Sequence, residues 1–341
     1  MAKHRMAVIG LGMAVGPHAR SHADLKDRVE IVTAYSPTQA RRDAFAEKYK
    51  FPVSGDLDAI WADKSIDCVA ILTPPNSHLE LVLEAAKAGK HVLLEKPLEI
   101  TTARAEQMVK ACRDVGVTFG VVLQHRFRAP GVKLRDIFKS GDLGKMVGCS
   151  AVVPNWRPQT YYDQPGRGTK ARDGGGVLIT QGIHTLDLML SLTGDVDEVF
   201  AYAATTPVHR METEDLVAAS VKYKNGALGI ISATTAAYPG FGERIEIVCE
   251  KGTAFILGTE LKVGFHDGRK VEIARDPNEG GAGADPMAFA HDQHRAVIAD
   301  FLDAIDNKRE PAIGGQEALR VHRLIDALLL SAASGKTVKV A

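Results

Sequence analysis

The sequence predicts an α/β protein of two domains, the first built on a doubly wound parallel sheet and the second an α+β domain. Three observations carry this. Over residues 6–123 short apolar runs alternate with amphipathic helical stretches across brief joins, the grammar of βα units. A glycine-rich turn, Gly10-Leu-Gly12-Met-Ala-Val-Gly16, follows the first of those runs. From about residue 124 the alternation stops and strand-like runs follow one another. A chain of 341 residues is also too long for one small core. The boundary drawn from these signals separates residues 1–123 from 124–341.

In order, Met6–Ile9, Val29–Tyr35, Asp67–Leu72, His91–Leu94 and Val117–Leu123 read as strands, their continuous apolar character fitting strands buried on both faces. Helices are expected near Ala14–Ala23, Ala40–Tyr49, Ser77–Ala88 and Thr102–Val115. Ser77 and Glu80 have capping-box spacing, and Gly89 is placed to stop the helix they would open. In the second part a helix over Gly131–Ser140 leads to a strand over Met146–Pro154. An irregular stretch rich in Gly, Arg and Tyr then precedes a helix from about Gly176 to Leu192. Strand-like runs follow at 196–206, 214–223, 227–236, 243–249, 253–257, 260–266 and 269–274, and such a series predicts an antiparallel or mixed sheet. Pro277–Asp285 reads as a loop, flexible by composition, before helices near 288–306 and 315–333.

Bulk properties exclude several classes. Hydrophobic residues make up 45% and charged residues 25%, ordinary for a globular protein. Lys+Arg and Asp+Glu number 42 each, so no global charge steers the chain to nucleic acid or an anionic membrane. No apolar stretch is long enough to span a bilayer, and the first residues pass into a strand without a signal-peptide apolar region. Cys68, Cys112, Cys149 and Cys249 lack CxxC spacing, and three of them sit in apolar runs. Reduced, buried thiols and a cytoplasmic location are expected.

The glycine turn lies where a dinucleotide fingerprint must lie, between a first strand and the helix it opens. Gly10 and Gly12, with Met13 and Ala14, would let backbone approach a pyrophosphate at a helix N-terminus; a mere tight turn is the alternative. The third glycine of the standard pattern is Val15, with Gly16 one place late. The second strand ends in Thr33-Ala-Tyr35-Ser36-Pro37-Thr38, with no acid to hold an adenosine ribose. Ser36, Arg41 and Arg42 instead suit a 2′-phosphate, which leans the cofactor to NADP with NAD the alternative, unless both arginines simply face water.

Glu95-Lys96-Pro97 closes the fourth strand, and a lysine at such a tip stands in the crevice where open α/β sheets bind ligands. Pro97 keeps Lys96 out of the helical region. A solvated loop lysine is the plain alternative. Further on, Thr180, His184, Asp187 and Ser191 fall at helical spacing on one face of an otherwise apolar segment behind Gly174-Gly-Gly176. A polar stripe there needs partners.

With Gly10-x-Gly12, the loop Thr73-Pro-Pro-Asn-Ser-His78, Glu95-Lys96-Pro97 and Gly174-Gly-Gly176…His184-x-x-Asp187, the chain resembles the Gfo/Idh/MocA family, the glucose–fructose oxidoreductase and inositol dehydrogenase relatives, over essentially its whole length. The resemblance implies a Rossmann domain followed by a domain with a large, mostly antiparallel open sheet. It further implies NAD(P)-dependent redox chemistry at a carbinol of a sugar, sugar acid or polyol. By the same resemblance Thr73, Pro74, Asn76, His78, Glu95 and Lys96 border the cofactor, although His78 equally suits a helix N-terminus. Val15 departs from the pattern, as does Thr180, where the family often has aspartate; the latter weakens a strict inositol-dehydrogenase assignment more than it weakens redox chemistry.

Oxidising a secondary alcohol requires loss of the hydroxyl proton as hydride leaves. His184, with a reference pKa of about 6.5, suits general-base duty near neutrality. Lys96 would stabilise charge on the same oxygen, or act as base itself, and Thr180 would orient the substrate. Asp187 serves the imidazole, helix packing or a second-domain contact. Substrate residues are expected among Arg126, Trp156, Arg157, Tyr161 and Arg172: aromatic faces suit sugar rings, and clustered arginines a carboxylate or phosphate, which points to a sugar acid or nucleotide-linked sugar over a neutral polyol. Scattered surface arginines are the alternative. His291-x-x-His294 is half of a metal pattern without a matching pair, so no metal is expected. Two other functions share the scaffold: a lyase or glycosidase working by transient oxidation on a retained cofactor, and a non-catalytic NADP(H)-binding regulator. A homodimer or homotetramer formed through the open sheet is expected from the family.

Overall fold

The computed structural model describes residues 3–277, 282–283 and 289–341. It divides into two compact units, one gathering Met1–Gln124 and His291–Leu319, the other His125–Ala290 and Arg320–Ala341. The sequence-drawn boundary after residue 123 lies beside the first crossing. The return of residues 291–319 to the first unit is not in that reading, because a helix's amphipathicity does not say which core it joins.

In the first unit β1 (His4–Ile9), β2 (Val29–Tyr35), β3 (Val53–Ser54), β4 (Cys68–Ile71), β5 (His91–Glu95) and β6 (Phe119–Val122) form one sheet in the order β3-β2-β1-β4-β5-β6, parallel throughout. Between them run α1 (Val15–Asp24), α2 (Gln39–Tyr49), α3 (Asp58–Ala62), α4 (His78–Lys87) and α5 (Thr102–Val115). Met6–Ile9, Cys68–Ile71 and Val92–Leu94 are at most 2% exposed, which is why these strands show as apolar runs. Two short elements, β3 and α3, fall outside the sequence reading, since two and five residues carry too little periodicity. The capping box does not form. The Ser77 hydroxyl donates to Thr73 Oγ1 and the Pro74 carbonyl, and a 3₁₀ turn over Pro75–Ser77 precedes α4. Gly89 does stop that helix, at φ 71°. The β6 edge is covered by the returning chain: Val121 N–H donates to Ile313 O at 2.9 Å, and Gly120 bridges Gly314.

The second unit places α6 (Ala129–Ser140), β7 (Met146–Pro154), α7 (Gln159–Tyr162), α8 (Lys170–Asp173) and α9 (Ile183–Thr193) before its remaining strands. Those are β8 (Val196–Ala204), β9 (Leu216–Tyr223), β10 (Leu228–Thr234), β11 (Arg244–Cys249), β12 (Gly252–Leu257), β13 (Glu260–Phe265), β14 (Lys270–Ile273) and β15 (Val338–Lys339). They join β7 in a nine-stranded sheet ordered β14-β13-β12-β11-β7-β10-β9-β8-β15, with only the β7–β10 pair parallel. One sheet face is buried, and residues such as Val217, Val221, Ile231, Ile245 and Ile247 pack there. The other face leaves Tyr202, Leu216, Leu228, Ile230 and Val248 exposed.

Two helices complete the chain, α10 (Asp292–Asp306) and α11 (Gly315–Ser334). The expected flexible loop Pro277–Asp285 lies mostly outside the described residues. No helix among the described residues is long and apolar enough to cross a membrane.

Candidate functional site

At the end of β1, Gly10 takes φ 105°, and its N–H donates to Tyr35 O at 2.9 Å. A Cβ there would lie 2.8 Å from Leu72 C, so the approach of β1 to the chain after β4 demands glycine. At Gly12 a Cβ would meet nothing within 4 Å, and α1 begins behind Ala14 with no side-chain cap. An open glycine before an uncapped helix N-terminus fits a dinucleotide pyrophosphate. Met13 is 45% exposed on the same turn. Gly16 takes the packing duty of the displaced third glycine: its Cβ would sit 3.3 Å from the Tyr49 hydroxyl of α2.

At the tip of β2, Ser36 is buried and its hydroxyl accepts from Thr38 N–H at 3.3 Å. Arg42 donates to the Ser36 carbonyl and to Gln39 Oε1, so it braces this turn, whereas Arg41 is exposed.

After β4, Pro74 and Asn76 are exposed and Thr73 half-buried, while His78 is fully buried. Its Nε2 lies 2.9 Å from Thr73 O and its Nδ1 3.0 Å from Leu98 O. His78 therefore braces the β4 loop against the chain after Lys96, and burial lowers its pKa against the pull of those carbonyls. A side chain so enclosed holds the loop's shape and has no face toward a ligand.

Lys96 follows β5 as the half-buried member of a run in which Glu95, Pro97 and Leu98 are buried. The Glu95 carboxylate lies 2.7 Å from His18 Nε2 and accepts from Lys96 N–H at 3.1 Å. Burial alone would raise its pKa. The His18 hydrogen bond, with the charges of His18, His294 and Lys96, outweighs burial and holds it below the usual carboxylate value. Glu95 thus works inward, fixing the strand tip that carries Lys96.

In the second unit the segment before α9 is built around a residue the sequence reading missed. Glu214 Oε2 accepts from Gly176 N–H at 3.1 Å, Oε1 from Leu178 N–H at 3.2 Å, and the Glu214 carbonyl from Val177 N–H at 2.9 Å. A Cβ on Gly176 would fall 1.8 Å from that carbonyl, so only glycine fits. Burial raises the Glu214 pKa. Leu178–Gly182 then makes a π turn before α9, so the expected single helix from Gly176 is two geometries, and α-helical spacing does not carry from Thr180 to His184. The Thr180 hydroxyl donates to Gly176 O at 2.5 Å and also meets Gln181 Oε1. Even so, between Gly175 and Leu190 only Thr180 and His184 escape full burial.

The His184 ring stacks on His125, with centroids 4.7 Å apart and planes 29° apart. His125 Nδ1 lies 3.4 Å from Glu243 Oε2, which also accepts from Thr185 Oγ1 at 2.8 Å and faces Arg128 at 3.6 Å. His125 is held there by its neighbour. Arg126 forms a buried two-point ion pair with Asp187, Nε–Oδ2 2.7 Å and Nη2–Oδ1 2.6 Å. Asp187 therefore pairs with an arginine.

The arginines expected to meet an anionic substrate have internal partners. Arg126 has Asp187. Arg157, 3% exposed, donates to the carbonyls of Trp156 at 2.7 Å and Ala282 at 3.3 Å. Arg172 Nη1 lies 3.7 Å from Asp173 Oδ1 and its side chain is 29% exposed. Tyr161 is buried beneath Arg167, whose guanidinium lies 4.9 Å from the ring centroid. Trp156 is half-buried, edge-on to Tyr238 at 5.4 Å. Glu243 and Glu214 gave no signal in sequence because the partners named here lie 36 to 118 residues away.

A parallel sheet with a glycine turn on β1 and a lysine beyond β5, joined to an open-sheet unit, defines a dinucleotide-dependent oxidoreductase fold. Residues 4–123 match the oxidoreductase family with NAD-binding Rossmann fold, and residues 132–255 match the GFO/IDH/MocA C-terminal domain. The chain belongs to the GFO/IDH/MocA family of NAD-binding oxidoreductases. It is 26% identical to myo-inositol 2-dehydrogenase of Thermotoga maritima, covering 98% of this chain and 96% of the relative. With inositol 2-dehydrogenase of Rhizobium meliloti it shares 25% identity over 99% of both. Among solved structures, the WlbA dehydrogenase from Bordetella pertussis in complex with NADH and UDP-GlcNAcA superposes with a TM-score of 0.86 at 27% identity, covering 99% of this chain and 98% of that one.

Proposed function

We propose that the protein is an NAD(P)-dependent dehydrogenase or reductase acting on a secondary carbinol of a neutral sugar or polyol, with NADP(H) accepted. The observation that carries this reading is the set of groups following three neighbouring parallel strands: Gly10 and Gly12 after β1, Thr73–Asn76 after β4 and Lys96 after β5. The inositols in the relatives' names and the UDP-GlcNAcA bound to the WlbA dehydrogenase support a polyhydroxylated ligand. The internal partners of Arg126 and Arg157 favour a neutral ligand over a sugar acid.

When bound, the nicotinamide supplies a two-electron acceptor for hydride from the carbinol carbon. His184 takes the hydroxyl proton, and its stacking on His125 fixes the plane of the imidazole. Lys96 stabilises the developing negative charge on oxygen. Thr180, whose hydroxyl is tied to Gly176 O, shapes the entrance to the His184 face. The absence of an acid at the β2 tip and the exposure of Arg41 support acceptance of a 2′-phosphate. A second copy of the chain covers the exposed apolar face of the nine-stranded sheet.

Titration with NADPH and NADH, followed by nicotinamide fluorescence, tests the cofactor. NADPH is expected to bind at least as tightly as NADH, and Arg41→Glu to weaken NADPH alone. Weaker NADPH binding sinks the 2′-phosphate assignment, and binding of neither sinks the enzyme reading. Steady-state assays on inositols, aldoses and uronic acids follow; faster turnover of uronic acids would overturn the neutral-substrate reading.

A further inference from the structure

The proposed chemistry leaves unused a group of buried side chains in the first unit. His18 and His22 sit four residues apart on α1, hence on one face. β5 ends in Glu95, and α10 brings His294 in its first turn. His18 Nε2 lies 2.7 Å and His294 Nε2 4.0 Å from Glu95 Oε1. One donor atom from each of the three residues lies within 4.8 Å of the others, the one such group among the described residues. His18, Glu95 and His294 are 0%, 8% and 4% exposed. The His18 and His294 rings meet edge-on at 5.4 Å.

A hydrogen-bonded His–Glu pair needs no third imidazole turned toward the same carboxylate. We propose that His18, Glu95 and His294 form a binding site for a divalent transition ion of the zinc class. Two imidazole nitrogens and one carboxylate oxygen form a donor set suited to zinc and cobalt, whereas magnesium and calcium favour all-oxygen shells. The three ligands come from α1, β5 and α10. The ion would therefore tie the helix behind the glycine turn to the strand that presents Lys96 and to the returning chain, a structural clamp rather than a reacting centre. His291, the other member of the His-x-x-His spacing, faces away to Asp24 at 2.8 Å.

The full chain, free of any affinity tag and stripped with chelator, is titrated with cobalt(II) and read by visible absorption. One cobalt per chain is expected, with ligand-field bands of a low-coordinate nitrogen–oxygen site and a raised melting temperature. His18→Gln and His294→Gln should each lower cobalt affinity beyond the roughly 10–100-fold that loss of a supporting partner causes, while His291→Gln leaves it unchanged. Dinucleotide fluorescence on each variant reports folding. Should either ligand variant fail to fold, X-ray absorption of the cobalt-loaded wild type decides: imidazole scattering from two histidines supports the site, and a shell of water and carboxylate overturns it. No stoichiometric uptake, uptake indifferent to both ligand variants, or uptake lost only in His291→Gln also overturns it.

Discussion

Lys96 stands half-exposed between buried neighbours, with Glu95 turned inward to His18 and Pro97 and Leu98 packed behind it. A residue presented in this way loses little packing when truncated. Lys96→Ala is therefore expected to lower kcat by about 10²–10³-fold, the range for removing one charge-stabilising donor, while dinucleotide affinity by fluorescence stays unchanged. Unchanged turnover would remove Lys96 from the mechanism. This residue was legible in sequence because its setting is local: a strand tip and the proline after it. The arginines were not. Whether Arg126 or Arg157 greets a substrate depends on an aspartate 61 residues away, or on carbonyls 125 residues away, and no spacing rule reports such acceptors.

At the scale of elements, α9 and the turn before it show what periodicity can and cannot read. The apolar pattern located the segment that carries His184. It did not reveal the π turn, which depends on Glu214 accepting N–H groups 36 and 38 residues upstream. The Arg126–Asp187 pair fastens the chain entering the second unit onto α9 and so sets His125 against His184. Removing one partner of such a buried pair leaves an uncompensated charge. Arg126→Ala should cost about 3–5 kcal/mol of stability in urea unfolding. A variant that kept full stability but raised KM for acidic substrates would restore Arg126 to the substrate list. Eight strands of the nine-stranded sheet are legible because their pattern alternates between a buried and an open face, as in the exposed–buried repeat of Arg244–Cys249, whereas β15, two residues long, carries no pattern to read.

Over the whole molecule, the open face of that sheet is the largest commitment left unfulfilled by one chain. Leu228 is 64% and Ile230 49% exposed, and Leu228 lies in register, across β7, with Val248. Light scattering on the wild type should report a dimer or tetramer, and Leu228→Glu should shift it to smaller species. A wild-type monomer would leave this face without its second copy.

The return of residues 291–319 to the first unit bears on how the protein can be made. The nucleotide-binding half is not finished until residues 125–290 of the second unit have been made, because the segment that covers the β6 edge and packs α10 on α1 follows them in the chain. Until then the half-built sheet keeps an unpaired edge and an uncovered helix, both invitations to misassociation. A fragment cut after residue 124 is therefore an incomplete fold, and a self-sufficient nucleotide-binding module requires grafting 291–319 back onto it.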